Sequence, residues 1–119
     1  MTILFLSDVP LHRERIEPLI QGRHTIVVGR DGVEGQALAR AVRPDLVVVD
    51  RTLPVLDQWD YVRILRNDPQ LYDVPIIALV VHASERDRAR ALASGCHDYI
   101  SRPISPADLC AHFDRLEAA

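Results

Sequence analysis

The chain has 119 residues, enough for one hydrophobic core and too few for two, so it reads as a single domain over residues 1–119. Its formal charge is -3, and all 14 cationic residues are arginine. That balance argues against nucleic acid, whose phosphates need a net basic face, and leaves any cationic task to a guanidinium. Cys96 and Cys110 show no C-x-x-C spacing, and the chain opens on an apolar run without a charged leader. A disulfide framework or zinc site is therefore not expected, and a reduced, cytoplasmic setting is. The longest apolar run, 76–81, falls far short of the roughly 20 residues a membrane span needs.

Taken in order, short β-branched runs alternate with longer helical patterns. β1 is expected at 3–6, β2 at 25–28, β3 at 46–49, β4 at 76–80 and β5 at 98–101. Between them, α1 is expected at 11–20, α2 at 33–42, α3 at 58–66 and α4 at 84–93, with α5 at 106–116 closing the chain. Asp31 and Ser105 have the position of N-caps. Pro106 follows Ser105 at the first helical position, where its missing N–H costs nothing. Pro18 falls inside the first helical pattern and should kink or shorten it.

Regular βα alternation predicts right-handed crossovers and a parallel sheet covered on both faces. A near-continuous apolar strand such as Leu46-Val47-Val48-Val49 suits that burial. The fold class is α/β, a flavodoxin-like doubly wound (βα)5 sandwich with a five-stranded parallel sheet in the order 2-1-3-4-5. In such sheets ligands bind beyond the carboxyl ends of the strands, at the point where the strand order reverses.

The strand ends carry the chemistry. β1 runs into Ser7-Asp8, β3 into Asp50, β4 ends on Val80 with His82 two residues on, and β5 runs into Ser101-Arg102-Pro103. Asp50 poses the sharpest question, because a carboxylate directly after a buried apolar run needs a partner or a task. Two carboxylates side by side would repel, and a hard cation such as Mg²⁺ resolves that by taking oxygen ligands from both. Arg102 could hold an anionic group beside the metal, which suits a phosphoryl group. The spacing of Gly29, Gly32 and Gly35 is not G-x-G-x-x-G, so it reads as a turn and helix start rather than a phosphate loop. His12, His24, His82, His97 and His112 show no ligand spacing and read as surface residues, His82 being the one placed to touch the strand-end site.

Together, Ile3-Leu4-Phe5-Leu6-Ser7-Asp8, the run Pro44 to Pro54 (PDLVVVDRTLP) and Gly95-Cys96-His97-Asp98-Tyr99-Ile100-Ser101-Arg102-Pro103-Ile104 resemble the receiver domain of two-component response regulators. The resemblance covers the whole chain. It implies that Asp50 accepts a phosphoryl group from a histidine kinase or phosphotransfer protein. It further implies that Asp8, Asp50 and the carbonyl of Thr52 hold Mg²⁺, and that the Arg102–Pro103 bond is cis. Val80, Tyr99 and His82 take the switch positions, and α4, β5 and α5 form the output face toward a protein partner. The role implied is relay by protein contact, with no enzyme activity of its own and no binding to nucleic acid or membrane by this domain.

Four positions depart from the family pattern. Ser7 replaces the first of an acidic pair, which predicts weaker Mg²⁺ binding. Val80 stands where a Thr or Ser hydroxyl would bond the phosphoryl group, Arg102 where the family has lysine, and Gln58 where it has glycine. With Val80 in place, Tyr99 reads as a packed aromatic rather than a moving one. The alternative reading is a pseudo-receiver that binds partners without phosphorylation. A flavodoxin-like cofactor binder or small enzyme is more remote, since Ser7-Asp8-Val9-Pro10-Leu11 offers no phosphate cradle.

Overall fold

The computed structural model describes residues 1–6, 24–50, 58–80, 84–101 and 106–118. Five parallel strands form one sheet in the order β2-β1-β3-β4-β5: β1 Thr2–Leu6, β2 Thr25–Gly29, β3 Leu46–Asp50, β4 Ile76–Val80 and β5 Asp98–Ser101. The described helices are α2 Gly32–Val42, α3 Gln58–Asn67, α4 Glu85–Ser94 and α5 Pro106–Ala118. The pattern at 11–20 and the cap at Ser105 lie outside the described residues. Element order and strand order match the sequence reading, and the limits differ by one or two residues at helix and strand ends.

Alternation along the strands divides the core into two layers, because successive side chains of a strand point to opposite faces. On one face Leu4, Leu6, Val47, Val49, Ile76 and Ala78 pack against Ala39 of α2, Trp59, Tyr61, Val62 and Leu65 of α3, and Ala91 of α4. On the other, Ile3, Phe5, Leu46, Val48, Ile77, Leu79 and Ile100 pack against Cys110 and Phe113 of α5. All five β3 residues are buried, as expected of a central strand covered on both sides.

The helix ends follow from local chemistry. Asp31 is extended at φ -148°, and its carboxylate accepts from the Glu34 N–H at 2.8 Å, capping α2 as the sequence indicates. α2 ends on Arg43 in the left-handed region at φ 50°, with its N–H donated to Ala39. A Cβ on Gly29, the last residue of β2, would come within 2.5 Å of Leu6 Cδ2, and one on Gly35 of α2 within 2.7 Å of the same atom. These glycines therefore leave room for Leu6 where β1 packs against β2 and α2.

The carboxy-terminal end of α3 is held as well. Arg66, in the last turn of α3, donates from Nε to Gly95 O at 2.8 Å, and from Nη1 to Val74 O at 2.6 Å and Tyr72 O at 3.1 Å. Beside it, Asp68 accepts from Arg40 Nε at 2.7 Å and from the Gln70 N–H at 2.9 Å. Those bonds, the backbone one foremost, hold the Asp68 carboxyl below the usual carboxylate range. No helix among the described residues is long and apolar enough to cross a membrane.

Candidate functional site

β3 delivers Asp50 to the carboxyl edge of the sheet in mid-sheet, between β1 and β4. Leu6, the last residue of β1, is in register with Val49, Asp50 pairs with Leu79, and Val80 pairs with Ser101 of β5. The ends of β1, β3, β4 and β5 thus form one continuous rim. Asp50 is completely buried at 0% exposure, which makes it an acidic group withdrawn from water at the site the topology favours.

The rim is completed from below by a residue that the sequence reading treated only as a missing glycine. Gln58 opens α3 and is 2% exposed. Its Nε2 donates to the carbonyl of Val49 at 2.9 Å and to that of Leu79 at 3.0 Å. These carbonyls belong to the peptides that lead directly into Asp50 and Val80. A signal was available in the helix pattern. Gln58, Tyr61, Val62 and Leu65 fall at i, i+3, i+4 and i+7, so the glutamine occupies the buried stripe, where a polar side chain needs partners.

Among the described residues, two buried side-chain atoms have no hydrogen-bond partner: Gln58 Oε1 and the Tyr61 hydroxyl. The Tyr61 oxygen lies against the start of α2, 3.2 Å from where a Cβ on Gly35 would stand. Burial pushes its phenol well above the usual tyrosine range.

Tyr99 is partly buried and packs on the α2/α3/α4 side of the core. Val80 closes β4, in register with Ser101. Asp8, Thr52, His82 and Arg102, with the Arg102–Pro103 bond, lie outside the described residues. Among those described, no group of three His, Cys, Asp or Glu side chains could hold a metal ion.

One expectation is corrected. His24 is not a surface residue: its side chain is 1% exposed, Nε2 lies 2.9 Å from Asp114 Oδ1, and Nδ1 lies 3.2 Å from the Met1 amine. Its ring meets Phe113 edge-on, with centroids 6.2 Å apart. A ring that can pair at both nitrogens is buried at low cost.

Arg86, Arg88 and Arg90 are exposed along α4. The Arg90 guanidinium lies 5.8 Å from the centre of the Trp59 ring. Cys96 and Cys110 are buried and form no disulfide, and burial pushes the Cys96 thiol up.

Fold and rim define the class. The response regulator receiver domain model matches residues 3–114, and the chain belongs to that family of phosphorelay signalling modules. It is 35% identical over 114 residues to hybrid signal transduction histidine kinase D of Dictyostelium discoideum, an alignment covering 96% of this chain and 7% of that protein. It is 35% identical over 106 residues to the polar-differentiation response regulator DivK of Brucella anthropi, covering 87% of this chain and 85% of the relative. The chain therefore spans a small part of the first relative and most of the second. Among solved structures, the chemotaxis response regulator CheY4 of Vibrio cholerae superposes with a TM-score of 0.88 over 97% of each chain at 23% identity, a likeness of fold.

Proposed function

We propose that this chain accepts a phosphoryl group on Asp50 from a phosphohistidine of a kinase or phosphotransfer protein and relays that state by protein contact. The observation that carries this reading is the placement of Asp50, a fully buried carboxylate at the end of the central strand of a receiver fold. In the transfer a carboxylate oxygen forms the new O–P bond, the N–P bond of the donor breaks, and the imidazole leaves with its electron pair. Such a transfer asks the acceptor for position and charge neutralisation more than for covalent assistance.

A buried carboxylate is a hard oxygen donor and fits Mg²⁺ as one ligand. Asp8 and the Thr52 carbonyl are the residues that would complete the protein's share. Bound there, the ion supplies charge neutralisation at the phosphoryl oxygens. Arg102 is the chain's cation for those oxygens or for Asp50 itself. The output surface on this reading is α4, β5 and α5, with the exposed arginines of α4 available to a partner.

Incubation with a small acyl phosphate and Mg²⁺, followed by intact mass, tests the reading. The wild-type chain should gain one phosphoryl group and Asp50→Asn none. Equal labelling of both proteins, or of neither, overturns it. A second reading, a receiver that binds its partner without phosphorylation, is favoured by Val80, since a methyl at that position offers no hydroxyl to a phosphoryl oxygen. Partner affinity unchanged in Asp50→Asn would select it.

A further inference from the structure

The Gln58 carboxamide nitrogen carries two N–H groups and meets two carbonyl acceptors, one from each of two neighbouring strands. Among the described residues nothing else orients the amide, since Oε1 has no partner. Turning the group over would point that oxygen at the same two carbonyls and lose both bonds. The acceptors are not arbitrary. The Val49 carbonyl is in the peptide joined to Asp50, the Leu79 carbonyl is in the peptide joined to Val80, and a peptide group moves as a rigid plane. One nitrogen therefore fixes the two planes that aim these neighbouring positions of the rim.

Gln58 has little room to follow a movement of either strand. It is the first residue of α3, and Trp59, Tyr61, Val62 and Leu65 of the same helix are packed into the core. Displacing Leu79 by roughly half an ångström away from the amide would stretch that contact past hydrogen-bond range. Solvent cannot compensate at a site that is 2% exposed.

We propose that Gln58 is a positioning residue: its carboxamide staples the end of β3 to the end of β4 and holds the rim in one arrangement, so that a change at Asp50 is passed only weakly to β4, α4 and β5. This rests on the reading of Asp50 as phosphoacceptor, and the staple itself can be tested without it. A modification shifts an equilibrium only by the contacts that differ between two arrangements, and the staple adds a contact made in just one of them.

Two measurements decide it. In isotope-labelled wild type, scalar couplings across hydrogen bonds should connect Gln58 Nε2 to the carbonyl carbons of both Val49 and Leu79. Absence of either coupling overturns the staple whether or not Asp50 is ever modified. Gln58→Met, which keeps the shape and removes the donors, is then compared with wild type, each treated with an acyl phosphate and Mg²⁺. The two should take up phosphoryl to the same extent by intact mass. Phosphodonor-dependent change in amide exchange across residues 76–80 and 84–101 should be larger in the variant, by about tenfold in the underlying equilibrium, the factor one buried hydrogen bond commands. Equal responses in two equally labelled proteins would refute the coupling role, whereas failure of both to label would refute the phosphoacceptor reading and leave the scalar couplings to decide the staple.

Discussion

The two ends of α3 are held by different means. At the carboxy-terminal end, Arg66 donates to three main-chain carbonyls and Asp68 accepts from a guanidinium and a backbone N–H. At the amino-terminal end, beside Asp50, one neutral amide nitrogen reaches two carbonyls, and the same stretch of helix carries the buried Gln58 Oε1 and Tyr61 hydroxyl without partners. The end remote from the rim is thus saturated with charge-assisted bonds, and the end under the rim tolerates unmet polar atoms. Unpaired buried groups cost stability, so their presence on one side marks where position has been favoured over stability.

That contrast can be broken most severely at Arg66. Arg66→Met should keep the aliphatic packing and lose every donor, lowering unfolding free energy by about 2–3 kcal/mol, measurable as a shift of the urea midpoint. A loss below about 0.5 kcal/mol would mean that the remote end is not the firmer one.

At the other end, a change should work in the opposite direction. Tyr61→Phe removes a buried hydroxyl without a partner and should raise stability by about 1 kcal/mol. It should also alter the alkaline limb of the pH–stability curve. The phenol is raised in the folded chain, so above about pH 10 the unfolded chain releases a proton that the folded one retains, and stability falls as pH rises. Tyr61→Phe should flatten that decline, and an unchanged slope would assign it to other groups.

Gln58→Met should cost less than about 1 kcal/mol, since it removes an unsatisfied oxygen together with two donor bonds, whatever it does to the response at the rim. The smallest effect is expected at Asp68, and only in acid. Its carboxyl is lowered by folding, so its contribution is present above the unfolded value near pH 4 and is lost as pH falls through the folded value. Asp68→Asn should reduce the acid-side slope of the curve and leave the alkaline side alone.

How far these features could be read from sequence depended on the distance between partners. β3 and Asp50 were legible because a strand covered on both faces writes its burial as a continuous apolar run, and Asp31 because a cap acts on an N–H three residues away. The task of Gln58 was not legible. Its acceptors are main-chain carbonyls 9 and 21 residues away, and a carbonyl carries no residue-type signature. His24 was misread for the same reason, its carboxylate partner lying 90 residues further along. Helix limits moved by a residue or two because the terminal turn is decided by caps that the hydrophobic period does not encode.

The His24–Asp114 pair also orders events in time. While the chain emerges from a ribosome, β1 to β4 can assemble before α5 exists, but His24 must wait for Asp114, and the layer formed by Ile3, Phe5, Val48, Ile77 and Leu79 waits with it for Cys110 and Phe113. For that interval the part of the layer that Cys110 and Phe113 cover is an open apolar surface, attractive to chaperones and to other nascent chains. Docking of α5 closes that part of the sheet, and the Cys110 thiol, buried once α5 docks, offers a chemical clock for it. Labelling of Cys110 on stalled chains should persist until residue 114 clears the exit tunnel and then stop.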